Sequence, residues 1–486
     1  MADLKKQTLK GFKWNAIGQF SNVTITFLTG IVLARLLSPE DFGTVGMIAI
    51  FFTIAKTFVD SGFGIALIRK KNITDYDTST VFYFNFFVST ILYLVLFFSA
   101  PQIASFFHRP ILTEVVRVSG LSLFLSALNC VQFSLLTRNV DFKTPAIISL
   151  ISYISSGILG ILLAYKGYGV WALVYQSLLN SLISAISVWF ISEWRPRWMF
   201  SWNSFHELFG FGGKILGSRL LDRFAGNLTS LAIGRFYSPA DLGYYTRGSH
   251  TANIPSSFLY SIVGSVSMPV LSKLQDDDEL LIHAYRKYIK TCSLVIFFLM
   301  FLLVSIAKPV TVFLYSEKWL PSVIYLQLFC LSYMFYHINA INVNLLIAKG
   351  RSDLNLRIEI IKKIIFFTGL AISLPISVMA MCITGIITSQ LSLIVNTYYT
   401  GKLFNFGYWR QWKDFLPYIF YSVFACIPSY LLSFAKIPNL LNILMCSIIS
   451  TLVYLTILYI TGDSAFSDLI RTIPLKKYIK SNNHGS

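Results

Sequence analysis

Long apolar runs alternate with short polar connections from one end of the chain to the other. Runs of roughly 20 apolar residues recur throughout the 486 residues, and each is long enough to cross the hydrocarbon core of a membrane as a helix. We predict spans at 12–36, 42–68, 78–107, 113–137, 145–165, 169–192, 207–235, 241–270, 287–314, 321–348, 355–377, 380–402, 412–434 and 438–461. The pattern therefore predicts an all-α polytopic membrane protein with about 14 transmembrane helices and no separate soluble domain.

One short polar stretch occurs twice. "ARLLSPEDFG" at 34–43 follows the first predicted span, and "GRFYSPADLG" at 234–243 follows the seventh. The blocks "GFKWNAIG" at 11–18 and "GFGGKILG" at 210–217 form a second, weaker match. Six spans separate the copies, and an even separation predicts parallel repeats related by an axis along the membrane normal.

The repeat divides the chain into three parts. We predict an N-lobe at 1–200 with six helices, a C-lobe at 201–405 with six more, and two C-terminal helices followed by a basic tail at 406–486. The two lobes are then structural copies of one another. A side chain that differs between them needs a reason of its own.

The repeated corner is explained by the ends of helices. Ser38 and Ser238 suit the N-cap of the helix that follows, and Pro39 and Pro239 suit its first position. The nearby acids favour the positive end of the helix dipole, and the preceding arginines suit the negative end of the helix before and can reach an Asp across the turn. These charges are Glu40, Asp41, Asp241, Arg35 and Arg235. We therefore expect the corner to be structural and not a ligand site.

The distribution of charge indicates topology. The chain has a formal net charge of +18 and only 13% charged residues. With the N-terminus inside, the tails and alternate connections collect about 27 of the 40 Lys and Arg residues, which is the bias typical of cytoplasmic loops. We therefore expect both termini to be cytoplasmic and the basic face to attract anionic phospholipids. The charge does not indicate a nucleic acid partner.

Motifs for catalysis, cofactors or metals are absent from the sequence. The six cysteines lie in or beside apolar runs without CxxC spacing, so we expect them to pack as small hydrophobic residues. The run "QDDDE" at 275–279 does not place its acids on one helical face, so a solvated loop is favoured over a metal site. We expect no cofactor, no metal and no catalytic residue.

Four cations within predicted spans break the symmetry of the repeat. At an offset of 200, Arg219, Arg223, Arg247 and Lys56 stand opposite Gln19, Val23, Met47 and Ser256. A charge near the centre of a membrane costs about 2.5–3.5 kcal/mol on insertion scales and is expected to face a cavity or a partner. Arg219 and Arg223 share a helical face, roughly 18 Å into the membrane.

Two interpretations of these cations remain open. Arg binds phosphate through two hydrogen bonds, and Lys acts as a point charge, so the four cations are candidates for binding an anionic headgroup. Internal pairing, of Arg223 with Asp222 and of Lys56 with Asp60, is the alternative. Asp60, Asp222 and His337 are candidates for coupling to an ion, although His337 also fits a hydrogen-bonded position between helices.

The sequence resembles a known family of transporters. "LARLLSPEDFG", "DSGFGIALIRKKNIT", "LTRNVDFK", "GYGVWALVYQ", "NIPSSFLYSIVGSVSMPVLSKLQDD" and "AYRKYIK" resemble the polysaccharide transporter family of the MOP (MATE-like) exporter superfamily. Its nearest branch contains the O-antigen and colanic-acid-type flippases. The likeness covers about residues 5–470 and is most specific in the first eight spans.

The resemblance implies both a fold and an activity. Such proteins have two six-helix lobes plus two helices, lie in the bacterial inner membrane and move undecaprenyl-diphosphate-linked oligosaccharides by alternating access, without being enzymes. It also implies a cationic cavity for the diphosphate, an ion or potential as driving force, and polysaccharide polymerase machinery as a possible partner. Two alternatives remain. A drug or cation antiporter of the same superfamily would favour acids in its cavity, and a membrane glycosyltransferase or polymerase would need longer outer loops or paired carboxylates.

Overall fold

The computed structural model describes residues 2–472, except for the side chains of 2–10, 12, 13, 258–266, 269 and 470–472. Within 2–472 the chain forms helices and contains no β-strand. The helices are α1 (Ala2–Leu36), α2 (Pro39–Asp60), α3 (Phe63–Arg69), α4 (Asp75–Phe106), α5 (Leu112–Arg138), α6 (Lys143–Tyr165), α7 (Val170–Ile191), α8 (Trp202–Phe236), α9 (Pro239–Lys273), α10 (Asp278–Ser305), α11 (Ala307–Tyr315), α12 (Ser322–Tyr333), α13 (Tyr336–Ala348), α14 (Ser352–Ser373), α15 (Val378–Phe404), α16 (Tyr408–Leu432), α17 (Asn439–Ile460) and α18 (Ser464–Thr472).

The prediction of an all-α, multi-pass membrane protein is confirmed. Each predicted span falls on one helix or on two consecutive helices, as 42–68 does on α2 and α3. In the described part of the chain, 11 helical segments are long and apolar enough to cross a membrane. The three predicted spans outside this set lie on α8, α9 and α14. The count of 14 spans stays a prediction.

The chain divides into two compact units, Met1–Gly243 and Tyr244–Ser486. In the first unit α4 packs on α5, α6 packs on α7 and α1, and α2 packs on α8. In the second unit α10 packs on α16, α14 on α15, and α16 on α17. The predicted lobes at 1–200 and 201–405 stay a prediction, and the basic tail beyond Thr472 lies outside the described residues.

The helix ends at the two corners are capped as predicted. Ser38 precedes α2, its Oγ accepts a hydrogen bond from the Asp41 amide at 3.2 Å, and the Asp41 carboxylate accepts from the Ser38 amide at 2.9 Å. Ser238 and Asp241 repeat both bonds, at 3.0 and 3.2 Å. The reciprocal bonds satisfy amides that would otherwise lack partners at the helix start. The structural interpretation of the corner is therefore confirmed.

The two corners also contact one another, which the sequence did not predict. A Cβ on Gly43 would lie 1.7 Å from the carbonyl oxygen of Pro239, and a Cβ on Gly243 would lie 2.0 Å from the carbonyl oxygen of Pro39. The two backbones thus approach reciprocally, and each approach requires a glycine. The Gly at the end of each copy of the repeat is explained by this contact rather than by turn conformation.

Arg235 connects the second corner to the end of α4. Arg235 lies in the last turn of α8, donates to the carbonyl oxygen of Phe106 at 2.6 Å, and has its guanidinium 4.9 Å from the centre of the Phe106 ring. Instead of reaching an Asp across its own turn, Arg235 joins the end of α8 to the end of α4. Glu40 pairs with Arg109 at 2.6 Å, so the corner region is held both to the last residue of α4 and to the connection that follows it.

Candidate functional site

A cavity of 410 Å³ in the first unit contains three of the predicted site residues. Lys56 and Asp60 line it from the last turns of α2, and Arg219 lines it from α8. The remaining walls come from α3 and α5. Two cations and one carboxylate thus face a single space. That Lys56 and Arg219 bind substrate stays a prediction.

A break in the helix after Asp60 shapes the cavity. Ser61 and Gly62 adopt left-handed conformations, with φ of 47° and 69°, and α3 begins at Phe63. A Cβ on Gly62 would lie 2.3 Å from the carbonyl oxygen of Gly212 in α8. Gly62 therefore serves both the turn, because φ > 0 favours glycine, and the close approach of α8. This approach brings Arg219, about two turns further along α8, beside the end of α2.

Arg219 and Asp60 form an ion pair across the cavity wall. A guanidinium nitrogen of Arg219 lies 2.6 Å from a carboxylate oxygen of Asp60, and the two side chains are 43% and 38% exposed. Both charged groups are therefore accessible from the cavity, where another anion can reach the guanidinium. The Cys130 thiol, 3.6 Å away, donates to the other carboxylate oxygen of Asp60.

Lys56 does not form the ion pair with Asp60 that internal pairing would require. Asp60 pairs with Arg219, and among the described residues Lys56 has no ion-pair partner within 4.0 Å. Since Lys56 also lines the cavity, the site carries one positive charge beyond the Arg219–Asp60 pair. This excess is what an anionic ligand requires.

A wall of small polar side chains on α5 escaped the sequence reasoning. Ser126, Cys130, Ser134 and Thr137 line the cavity at spacings of four, four and three residues, which place them on one face of a helix. The hydroxyls of Ser134 and Thr137 donate to carbonyls four residues earlier, at 2.7 and 2.8 Å, so their oxygens remain able to accept. The periodic spacing was the signal in the sequence that could have revealed this wall.

The other two candidates on α8 lie outside this cavity. Asp222 and Arg223 are exposed, and neither lines the cavity that holds Arg219. The backbone carbonyl of Arg223 accepts a hydrogen bond from the Asn227 amide at 2.8 Å. The structure therefore brings Lys56, Asp60 and Arg219 together and leaves Asp222 and Arg223 on an adjoining exposed turn.

The remaining candidates belong to the second unit. Arg247 is buried, and its guanidinium carbon lies 5.0 Å from the ring centre of Tyr315 and 5.1 Å from that of Trp319. His337 is buried, with Nε2 at 2.9 Å from the Ser293 hydroxyl of α10. His337 thus makes the hydrogen bond between helices that the sequence allowed, and Arg247 is enclosed by aromatic rings.

Comparison with known proteins identifies the family. Residues 32–324 match the family described as "Polysaccharide biosynthesis protein". The chain is 28% identical over 357 residues to teichuronic acid biosynthesis protein TuaB of Bacillus subtilis (strain 168), covering 73% of this chain and 74% of TuaB. It is 25% identical over 314 residues to succinoglycan biosynthesis transport protein ExoT of Rhizobium meliloti (strain 1021), covering 65% of this chain and 64% of ExoT.

The fold is similar to that of a solved transporter. Lipid II flippase MurJ, in an inward closed conformation, aligns with a TM-score of 0.77 at 18% sequence identity, covering 94% of this chain and 100% of MurJ. The structural likeness and the match over residues 32–324 together confirm the resemblance drawn from the sequence. The chain belongs to the polysaccharide biosynthesis protein family.

Proposed function

We propose that this protein is a flippase that moves undecaprenyl-diphosphate-linked oligosaccharide from the cytoplasmic to the periplasmic leaflet of the bacterial inner membrane. The cavity that joins Lys56, Asp60 and Arg219 carries the proposal, because it offers an excess of positive charge to an anionic group. The family match and the transport named for ExoT support a carrier of polysaccharide precursors. The protein is a transporter, not an enzyme.

The diphosphate is proposed to bind by replacing Asp60 at Arg219. A planar guanidinium offers two parallel hydrogen bonds to a phosphate, and hydrogen bonds to charged groups contribute about 1.5–3 kcal/mol each. Lys56 then neutralises a second phosphate charge, and the hydroxyls of Ser134 and Thr137 lie on the same cavity wall for polar parts of the headgroup. Arg223 and Arg247, the other substrate-binding cations predicted from the sequence, do not line this cavity.

Transport is proposed to follow alternating access, with 14 spans in two lobes of six and two further helices. We propose that both termini lie in the cytoplasm. An ion gradient or the membrane potential would provide the driving force, with Asp60, Asp222 and His337 as the coupling candidates. Displaced from Arg219, Asp60 is a carboxylate without its countercharge, which makes it the coupling candidate of this cavity. Anionic phospholipids and the polysaccharide polymerase machinery are the proposed partners.

The decisive test replaces Arg219 by Gln, the residue that the first repeat has at the matching position. We expect export to fall about 10- to 100-fold, because a charge-assisted bond to the phosphate is lost. Deletion strains carrying each variant are assayed for surface polysaccharide and for lipid-linked oligosaccharide on the cytoplasmic leaflet. Lys214→Ala, an exposed cation of the same helix, is the matched control and should export normally. Normal surface polysaccharide in folded Arg219→Gln protein would contradict the proposal.

A double-substitution cycle tests whether Asp60 acts through Arg219. Asp60→Asn alone should lower export less than Arg219→Gln, because the arginine that binds phosphate remains. Side chains in direct contact give non-additive effects, so Asp60→Asn combined with Arg219→Gln should be no worse than Arg219→Gln alone. Multiplied defects in the double variant would instead assign the two residues to separate steps. The drug or cation antiporter gains support if Asp60→Asn abolishes transport while Arg219→Gln leaves it unchanged.

A further inference from the structure

The basic side chains of "HAYRKYIK" at 283–290 have no role in the proposed transport site. His283, Arg286, Lys287 and Lys290 are separated by three, one and three residues, a spacing that places them on one face of α10. All four line a cavity of 280 Å³ in the second unit, whose other wall is formed by α18. The four side chains therefore share one space.

Acidic side chains hold these cations without balancing their charge. Asp414 of α16 is buried and accepts two hydrogen bonds of 2.8 Å from Arg286, and Lys290 Nζ lies 3.3 Å from one of its carboxylate oxygens. Asp468 of α18 pairs with Lys287 at 2.7 Å. In this described cluster three permanent cations thus meet two carboxylates. A guanidinium has five N–H groups and an ammonium three, so donors remain for a further acceptor.

The excess of positive charge lies on one side of α10. A neighbouring cavity of 540 Å³ shares His283 and Arg286 with the first, and Asp278 and Glu279 also line it. There the acids outnumber the one permanent cation. In the cavity beside α18, by contrast, three permanent cations face Asp468 as the acid of the described lining. An anion is therefore attracted to the α18 side.

The cavity lies at the ends of two predicted spans. The span 287–314 starts within the row of cations, so that at 1.5 Å per residue His283 lies about 6 Å before this start and Lys290 about 4.5 Å beyond it. Ser464, which lines the cavity from α18, follows the span 438–461 by three residues. The charge distribution predicts both ends to be cytoplasmic. We therefore expect the cavity at the depth of the lipid headgroups, where phosphate is the common anion.

We infer that the cavity between α10 and α18 is a binding site for a phosphate group at the cytoplasmic surface of the membrane. Arg286, oriented by its two bonds to Asp414, donates its remaining N–H groups to the phosphate, and Lys287 and Lys290 neutralise its charge. The volume of 280 Å³ is below the about 300–1,000 Å³ of pockets for drug-sized ligands. The cavity therefore encloses the phosphate, and the rest of the ligand lies outside.

The phosphate belongs either to a lipid headgroup or to a soluble phosphate ester, and the test distinguishes the two. It uses the purified full-length protein in detergent with phosphatidate and diacylglycerol of identical chains, which differ only in the phosphate. Phosphatidate should raise the melting temperature and stay bound in native mass spectrometry, whereas diacylglycerol should do neither. Glycerol phosphate, which has no acyl chain, identifies the source. An affinity about tenfold or more below that of phosphatidate assigns the site to a lipid, and a smaller difference assigns it to a soluble ester.

Two variants separate this cavity from the rest of the basic face. Lys287→Gln removes a cation whose partner Asp468 is 45% exposed, so the protein should fold, and phosphatidate should bind about tenfold more weakly because a charge-assisted hydrogen bond is lost. Ser464→Glu adds an acid to the cavity at the start of α18, where an acid favours the helix. It should weaken binding equally without lowering the melting temperature of the protein alone. Lys273→Gln, which removes an exposed cation outside the cavity lining, is the matched control and should bind normally.

Four outcomes would overturn the inference, none of which depends on the proposed transport site. Absence of binding by both phosphate probes would leave the cavity without a ligand of this class. Equal stabilisation by phosphatidate and diacylglycerol would show recognition of the chains instead of the phosphate. Unchanged phosphatidate binding in Lys287→Gln or in Ser464→Glu would place the phosphate elsewhere, and an equal loss in Lys273→Gln would make binding a property of the overall charge.

Discussion

Helices α1 and α8 have the same length, but their middle turns carry different side chains. Each has 35 residues, their bounds are offset by 200 positions, and each leads into a capped corner with Ser, Pro, Asp and Gly. α1 packs on α6, whereas α8 packs on α2 and α3. Gln19 of α1 is exposed, with its amide 3.4 Å from the Asn15 side chain, and Arg219 at the matching position of α8 meets Asp60. The two helices therefore have similar ends, whereas the middle of α8 carries the charged residue Arg219.

The difference follows from the partner helix. A charge within a membrane protein needs a cavity or a countercharge, and α2 offers α8 both, at Asp60 and in the cavity beside it. The exposed neutral amide of Gln19 requires neither. At these two matching positions the difference in side chain therefore follows the difference in the neighbouring helix.

Replacing the glycines that the two corners share should have the largest effect on stability. Gly43→Ala would place a Cβ 1.7 Å from a backbone carbonyl, and Gly243→Ala would place one at 2.0 Å. Neither carbonyl belongs to a flexible side chain, so the corners must separate, at a cost of about 3 kcal/mol or more. We expect each variant to lower the melting temperature strongly and to reduce the amount of folded protein in the membrane.

A glycine without neighbours provides the control for the corner variants. Gly226 lies within α8, and a Cβ there would meet nothing within 4 Å. Gly226→Ala should leave the melting temperature unchanged or raise it, because Ala is the better helix former by up to about 1 kcal/mol. If Gly43→Ala were as harmless as Gly226→Ala, the reciprocal contact of the corners would not be a determinant of stability.

A second difference between the matching stretches is Arg247, which occupies the position of Met47. Two aromatic rings enclose Arg247 at about 5 Å, and cation–π contacts contribute about 2 kcal/mol when desolvated. Arg247→Ala should therefore destabilise the protein by about 2–3 kcal/mol, measured as a lower melting temperature. Arg247→Lys, which keeps the charge and loses the planar group, should fall between. If Arg247→Ala is fully stable but does not export, Arg247 acts in substrate binding and not in stability.

Local features of the fold were accessible from the sequence. The caps at Ser38 and Ser238 depend on side chains three residues apart, and the spans depend on runs of apolar residues, so both are visible in a short window of sequence. The breaks within spans were not predicted. Ser61 and Gly62 interrupt the predicted span 42–68, and the close approach of Gly212 to Gly62 joins residues far apart in the chain.

The site was predicted in part for the same physical reason. Comparing the repeats selected Lys56 and Arg219, since a charge without a counterpart can be found without knowing the fold. The partner of Asp60 could not be found in this way, because Arg219 is 159 residues distant and Lys56 is a plausible partner one helical turn away. The polar wall on α5 was overlooked because small hydroxyl residues also pack ordinary membrane helices.

The smallest effect tests whether the two corners act as one unit. Ser38→Ala and Ser238→Ala each remove a capping oxygen and should each cost about 1 kcal/mol. The corners touch through Gly43 and Gly243, so loosening one corner already weakens the contact that the other shares. The double variant should therefore lose less stability than the two single losses combined, by about 0.5 kcal/mol or more. Strict additivity in the melting temperatures of the four proteins would make the corners independent caps, and the reciprocal contact would then not be the reason that both copies keep the same residues.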